Sequence, residues 1–132
     1  MDDLVQWLGE QLDIDTARAT AAAEEDGPDW HYDGHAVITR REGDLVAVGS
    51  QDYMDPERGA YIAEHDPARV LREIDADRKL LALFIEVGAR EVDLDDAVEY
   101  AHGWVNALGM AVRLRASAFS DRPGFREEWR PN

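Results

Sequence analysis

Residues 30–49, WHYDGHAVITRREGDLVAVG, decide the fold class, because the apolar period of the chain changes to two at this point. Three short runs rich in β-branched and aromatic residues are separated by Asp33-Gly34 and by the segment REGD. Asp-Gly is a strong signal for a two-residue hairpin turn, since both turn positions require positive φ, and Gly43 suits the left-handed position of a longer turn. The pattern predicts a three-stranded antiparallel meander over residues 29–49.

The segments on either side of the meander have helical periodicity. Residues 3–25 place leucines at spacings of four and continue into an alanine-rich run, which predicts an amino-terminal helix. Residues 60–87 are expected to be helical: the segment AYIAEHD (60–66) predicts a short helix, and a longer helix with an apolar stripe follows it. Within them, Asp66 is a candidate N-cap, and Pro67 takes the first helical position, where its missing N–H has no cost. Gly88 is the predicted end of this helix.

A last helix is predicted over residues 94–119, where apolar residues alternate at spacings of four and three. They form a heptad-like seam of Leu94, Val98, Ala101, Val105, Leu108 and Val112. Because the preceding linker is short, helices 66–87 and 94–119 are expected to form an antiparallel hairpin. The expected architecture is an α+β single domain over residues 1–132, with a carboxy-terminal tail at 120–132. The seam faces either the core or a second subunit, and a second subunit would make the protein a homodimer through residues 94–119.

Composition limits the classes of function. The 132 residues carry 29 Asp and Glu against 14 Lys and Arg, and the net charge of −15 argues against direct binding of nucleic-acid phosphates. The absence of cysteine excludes a disulfide framework and a thiolate metal site. No window approaches the length of a membrane span, and the acidic amino terminus lacks the basic start of a signal peptide. A cytoplasmic protein without a membrane partner is expected.

The acidic surplus is concentrated near the amino terminus. Residues 1–33 contain ten carboxylates and a single arginine, Arg18, which amounts to a net charge of −9. We predict an acidic interaction face that attracts a basic host protein in a rapid and salt-sensitive manner. Its residues are Asp2, Asp3, Glu10, Asp13, Asp15, Glu24, Glu25 and Asp26. Alternatively, the acidity reflects only a salt-adapted source or a GC-rich coding sequence.

Two groupings around histidine resemble metal-binding patterns. His31, Asp33 and His35 have suitable spacing, but a two-residue turn beginning at Asp33 would place the two histidines on opposite faces of the hairpin. Glu99 and His102 form half of a helical carboxylate-histidine arrangement, and the sequence offers no matching half. Ordinary hairpin residues and a partly buried structural histidine are therefore favoured. No metal, cofactor or catalytic residue is assigned.

The helix start at Asp66 is the main candidate for a ligand site. Free amides at a helix amino terminus bind anions, and His65, Arg69 and Arg72 would surround a small anionic ligand there. The carboxylate of Asp66 would compete with such a ligand, because it already supplies negative charge to the same amides. A capped helix start is therefore favoured, and a ligand site is kept as the alternative.

The segments IAEHDPARVLREIDADRKLLAL (62–83), GPDW (27–30) and DRPGFREEWRP (121–131) suggest a family. In this order they resemble a group of small acidic proteins of unknown function that are common in actinobacteria and their phages. A weaker similarity extends to early-region proteins of lambdoid phages of the ead type. Many members of the first group carry a cysteine pair before the tail, which this chain lacks, so a metal function of relatives is not carried over. The resemblance implies mobile-element biology and no reaction.

Together these features predict a non-enzymatic protein-interaction factor, an accessory protein of a phage, prophage or mobile element. Its negative surface would bind a basic host protein. In a sharper version, the acidic amino-terminal helix imitates DNA phosphates and inhibits a nucleic-acid-binding protein. The alternative is a binding protein or enzyme for a small, nucleotide-like anion, with its pocket at His65 and Arg69.

Overall fold

A computed structural model of the protein describes residues 1–91 and 98–132. Within these ranges the element order confirms the predicted α+β fold, in which an amino-terminal helix precedes three antiparallel strands and further helices. The helices and strands are α1 (Asp2–Ala22), β1 (Trp30–Tyr32), β2 (Ala36–Thr39), β3 (Leu45–Val48), α2 (Pro56–Glu64), α3 (Pro67–Glu91) and α4 (Val98–Ser117). Short 3₁₀ helices occupy Ser50–Asp52 and Glu127–Trp129.

The chain divides into two compact units. The sheet unit comprises Ile14–Ile74 and contains the three strands and α2. The helical unit comprises Met1–Asp13 and Asp75–Asn132 and contains α4. Helices α1 and α3 contribute residues to both units. The single domain over residues 1–132 stays a prediction.

The ends of the outer helices differ from the predicted bounds. Helix α1 ends at Ala22 instead of residue 25, so the acidic residues that follow lie in a turn beyond it. This position is physically reasonable, because carboxylates in the last helical turn would oppose the helix dipole. Helix α4 is described from Val98 to Ser117. The predicted start of that helix at residue 94 lies outside the described residues.

Residues 60–87 contain two successive helices, as predicted, although the first of them, α2, begins earlier than expected, at Pro56. Pro67 has no N–H to continue α2, and it disfavours helical backbone at Asp66, the residue before it. A new helix therefore begins at Pro67, as the capping pattern indicated. Gly88 does not end α3, which continues to Glu91. A glycine inside a helix costs only about 1 kcal/mol, which is too little to end a long helix by itself.

The helical unit buries apolar stripes from α1, α3 and α4. On α1 the fully buried side chains are Leu4, Leu8 and Leu12, which are the leucines spaced by four in the sequence. Four members of the predicted seam on α4 are buried or half-buried: Ala101, Val105, Leu108 and Val112. The seam therefore faces the protein's own core.

Contacts between α3 and α4 confirm the antiparallel helix hairpin. The Arg115 guanidinium donates two hydrogen bonds of 2.7 Å to the buried carboxylate of Asp77. Further along, a Cβ built on Gly109 would lie 3.5 Å from the ring of Phe84. Arg115 therefore contacts Asp77, and Gly109 lies beside Phe84. Residue numbers rise along α4 from Gly109 to Arg115 while they fall along α3 from Phe84 to Asp77. The two helices run in opposite directions.

The carboxy-terminal tail folds against α1 through an aromatic cluster. The ring of Trp7 lies 5.7 Å from that of Phe125 and 5.5 Å from that of Trp129, centroid to centroid. Its indole N–H donates to the carbonyl of Pro123 at 3.1 Å. The neighbouring Gly124 has a φ of +88°, and a Cβ there would lie 2.8 Å from the indole nitrogen of Trp7. The tail therefore requires glycine at this position.

The sheet has the order β1-β2-β3 and is antiparallel throughout, which confirms the predicted meander. The second turn holds Gly43 in the left-handed region with a φ of +71°, also as predicted. The first turn lies one residue later than predicted. Because Tyr32 pairs with Val37, its central residues are Gly34 and His35.

The side chain of Asp33 explains this shift of register. Its carboxylate accepts hydrogen bonds from the backbone amides of His35 (2.8 Å) and Ala36 (2.9 Å), so it stabilises a turn that follows it. The same bonds, first that from Ala36, lower the pKa of Asp33. The predicted pairing of His31 with Ala36 is wrong, and His31 lies opposite Ile38.

Helix α2 packs on the sheet at a glycine. Gly59 is buried, and a Cβ placed there would lie 2.3 Å from the ring of Tyr32. The Tyr32 hydroxyl donates to the carbonyl of Met54 at 2.7 Å, which holds the ring in place. The close approach of helix and ring therefore depends on the missing side chain.

We expect Gly59→Ala to lower the free energy of unfolding by about 2 kcal/mol, because an added methyl must displace a hydrogen-bonded ring. Gly9→Ala is the matched control in α1, since a Cβ at Gly9 meets no atom within 4 Å. Relief of the glycine penalty should make that variant more stable by about 0.5–1 kcal/mol. Urea denaturation of both variants measures the two effects, and a common sign would contradict the packing described above.

Candidate functional site

Helix α3 begins with a fully engaged first turn. The carboxylate of Asp66 accepts the amide N–H of Arg69 at 2.9 Å, which confirms the predicted N-cap. Pro67 has no N–H, and the amide of Ala68 donates to the carbonyl of Pro28 at 3.1 Å. These partners occupy the amides that an anion would otherwise bind.

The second carboxylate oxygen of Asp66 binds the sheet. It accepts the backbone N–H of Trp30, at the start of β1, at 3.0 Å. Asp66 is 9% exposed, so both hydrogen bonds are largely shielded from water. The residue thus joins a helix start to a strand start, which is a structural task within the sheet unit.

The three predicted anion ligands have other partners or lie at the surface. His65 is exposed, its Nδ1 lies 2.7 Å from the carbonyl of Tyr61, and its ring stacks on that of Tyr61 at 4.3 Å. The Arg69 guanidinium donates to the Glu73 carboxylate at 2.9 Å. Arg72 is exposed. The anion site stays a prediction, without the free amides on which it was based.

A cavity of about 330 Å³ lies beside His65 in the sheet unit. Its lining includes neither Arg69 nor Arg72. The lining residues are Asp15, Arg18, Ala19, Ala22, Trp30, His65, Pro67 and Val70. A ligand there would meet a mostly apolar wall, with Arg18 as the nearby cation.

The predicted acidic face is divided by local ion pairs. Three of its carboxylates lie within salt-bridge distance of arginines: Asp3 with Arg126 (3.1 Å), Asp13 with Arg78 (2.7 Å) and Asp15 with Arg18 (3.8 Å). Glu10 accepts a hydrogen bond from the Gln6 amide at 3.2 Å. Asp2, Asp3, Glu10 and Asp13 belong to the helical unit, and the other four belong to the sheet unit. The face remains a prediction.

Carboxylates gather at one corner of the sheet unit, where the turn after α1 lies beside the turn between β2 and β3. We call this group the acidic corner; it consists of Glu24, Glu25, Asp26, Glu42 and Asp44. A hydrogen bond from Asp44 raises the pKa of Asp26, and partial loss of solvation and the charges of Asp44, Glu25 and Glu42 add to the effect. Carboxylates this close repel one another when both are ionised.

A cavity of about 490 Å³ opens at the acidic corner. Its lining combines carboxylates with apolar groups: Ala21, Ala22, Glu24, Glu25, Asp26, Trp30, Thr39, Leu45 and Val46. Leu45 is 64% exposed, and Arg41 turns its guanidinium to the backbone carbonyl of Glu25 at 3.3 Å. Such a lining suits the aliphatic stem and charged head of a lysine or arginine side chain.

Sequence reasoning missed two members of this corner, Glu42 and Asp44. They lie in the predicted turn between the second and third strands, next to Gly43, and their proximity to the end of α1 arises only on folding. The available signal was the turn itself, because a tight turn brings its flanking side chains together.

The histidine patterns do not assemble into a metal centre in the described part of the chain. No group of three His, Asp or Glu side chains there has the proximity to hold a metal ion. His102 is exposed, so the prediction of a partly buried histidine is wrong. Its position on α4 turns it away from the seam that faces the core.

Comparison with known proteins identifies the family. The model of a family of unknown function, DUF6221, matches residues 1–131, and the chain therefore belongs to that family. Neither a curated protein nor a solved structure matches. None of the described helices is long and apolar enough to cross a membrane.

Proposed function

We propose that this member of the DUF6221 family is a non-enzymatic, cytoplasmic protein-interaction factor that binds a basic segment of a partner protein at the acidic corner. The observation that carries the proposal is the cavity at the acidic corner, whose lining sets the carboxylates of Glu24, Glu25 and Asp26 beside the apolar side chains of Trp30 and Leu45. Clustered carboxylates repel one another in the free protein. A bound cation would relieve that repulsion, so part of the binding free energy comes from the strain of the unbound state.

The partner's chemistry follows from the lining of the cavity. A lysine or arginine side chain places its methylene groups on Trp30 and Leu45 and its charge among the carboxylates. Arg41 donates to the backbone carbonyl of Glu25 at 3.3 Å, so a partner's cation would bind next to this arginine of the chain itself. We further propose an accessory role in a phage, prophage or mobile element, which rests on the sequence resemblance. A nucleic-acid-binding partner would make the protein a DNA mimic.

The test compares two variants with equal changes of charge. The corner variant combines Glu25→Gln, Asp26→Asn and Asp44→Asn, and the control combines Asp2→Asn, Glu10→Gln and Glu64→Gln at exposed positions elsewhere. Proteins captured from native host cells by the unaltered chain are purified, and their affinity for each variant is measured by calorimetry. We expect the corner variant to bind about tenfold more weakly than the control. Added salt should weaken binding of the unaltered chain.

Two results would refute the proposal. One is equal affinity of the corner and control variants for the captured protein, which would locate the interaction elsewhere. The other is binding that does not respond to salt between low and physiological ionic strength. Neutralising mutually repelling carboxylates should not unfold the protein, so a loss of binding reports on the contact itself. Competition by duplex DNA for the same partner would support the DNA-mimic version.

The small-ligand alternative ranks second. The cavity beside His65 favours it, because its wall combines apolar groups with His65 and Arg18, which suit a small organic anion. The carboxylate of Asp15, 3.8 Å from Arg18 in the same lining, would compete with that anion. The occupied amides at the start of α3 count against the predicted use of the helix terminus.

A further inference from the structure

Helix α4 carries a second apolar stripe, distinct from the seam that faces the core. We call it the outer stripe; its residues are Tyr100, Trp104, Ala107, Ala111 and Leu114. They follow one another at spacings of four, three, four and three, the pattern of a helix that packs against another helix. Tyr100, Trp104 and Leu114 are 71%, 45% and 59% exposed. A large part of each of these side chains is therefore open to solvent, and the rings of Tyr100 and Trp104 contact each other at 6.2 Å.

The charge of α4 contrasts with that of the whole protein. Residues 100–117 contain no Asp or Glu, and their charged side chains are Arg113 and Arg115, in a chain of net charge −15. Arg115 is bound to Asp77 in the helical unit. Two copies of so acidic a protein repel each other on most approaches. The outer stripe itself contains no carboxylate, and the acidic residue of α4 is Glu99, next to the end of the stripe at Tyr100.

The sizes of the side chains in the outer stripe favour a second copy as the partner. Large residues lie toward both ends, and the small Ala107 and Ala111 lie between them. In an antiparallel pair centred on Ala107, Trp104 of one copy faces Ala111 of the other, and Tyr100 faces Leu114. A parallel pair would instead set Trp104 against itself and leave the alanines facing each other across a gap. The antiparallel arrangement is self-complementary, as a two-fold interface requires.

We propose that the protein forms a homodimer through antiparallel packing of the outer stripes of two α4 helices. The seam predicted as a dimer interface is the core contact, so the dimer uses the face next to it. The proposal is independent of binding at the acidic corner. The two interactions also respond to salt in opposite ways. Added salt screens the like charges of two copies and strengthens dimerisation, whereas it weakens the binding of a basic partner.

The first test places a charge at the centre of the interface. Ala107→Glu sets two carboxylates face to face across the two-fold axis, and we expect the dissociation constant from sedimentation equilibrium to rise at least about tenfold. Asn106→Glu adds the same charge next to it, off the stripe, and should have much less effect. Ala107 is exposed, so the change does not disturb the core. A mixture of Ala107→Glu and Ala107→Lys chains should restore association.

The second test reads the direction of the helices with single cysteines, which the chain otherwise lacks. Ala107→Cys should form an intermolecular disulfide under mild oxidation. Ala111→Cys should not, since in the antiparallel pair its two copies are offset by about eight residues, or about 12 Å, beyond disulfide reach. Cross-linking at both positions would overturn the antiparallel arrangement. A monomer at all concentrations and salt levels, or equal effects of both glutamate variants, would overturn the dimer.

Discussion

Replacing Trp7 with alanine is expected to lower the free energy of unfolding by about 4 kcal/mol. The side chain is 8% exposed and contacts the rings of Phe125 and Trp129. Its removal leaves a cavity where a whole indole was, and it also removes the hydrogen bond to the carbonyl of Pro123. The tail would lose its main attachment to α1.

Urea denaturation followed by circular dichroism measures this effect, and Trp7→Phe separates its two sources. Phenylalanine keeps an aromatic ring in the cluster but cannot donate to Pro123, so a loss of about 1–2 kcal/mol is expected. Proteolysis adds an independent readout, because the released tail should be cleaved near Phe125 in the alanine variant. A loss below about 1.5 kcal/mol for Trp7→Ala would show that the tail is not held by this cluster.

The second large effect is expected for Asp66→Ala, which should lower the free energy of unfolding by about 3 kcal/mol. The substitution removes the N-cap of α3, which is worth about 1 kcal/mol, and leaves the Trp30 amide without its acceptor at a shielded position, which costs about 1–3 kcal/mol more. Asp66→Asn should lower the free energy of unfolding by roughly half as much, since the asparagine side chain retains one acceptor oxygen for the two backbone N–H donors.

The matched control is Asp55→Ala. Asp55 caps α2 by accepting the amide of Arg58 at 3.1 Å, but at an exposed position and with no second donor in the sheet. A loss of about 1 kcal/mol is expected there. Equal losses at the two caps in chemical denaturation would contradict the bridging role of Asp66, because only Asp66 joins a helix to a strand.

The candidate sites were less predictable than the fold. The start of α3 could be predicted because an Asp-Pro pair acts on its immediate neighbours. The same pair also removes free amides that an anion would bind, because Pro67 has no N–H and the carboxylate of Asp66 accepts the N–H of Arg69. The acidic corner could not be predicted, since Asp26 and Asp44 are separated by a strand hairpin and meet only in the folded sheet unit. The outer stripe was present in the spacing from Tyr100 to Leu114, but spacing alone did not tell which of two stripes on α4 was buried.

What the sequence by itself determined is the kind and order of the elements, the helix start at Asp66-Pro67 and the net charge, because each depends on composition or on residues a few positions apart. Tertiary structure decided which charges remain available and which apolar face is left uncovered. Asp13 is paired with Arg78, and Asp3 with Arg126, across long stretches of chain. Such contacts depend on how helices pack, and the packing energy is shared among many side chains that no local pattern specifies.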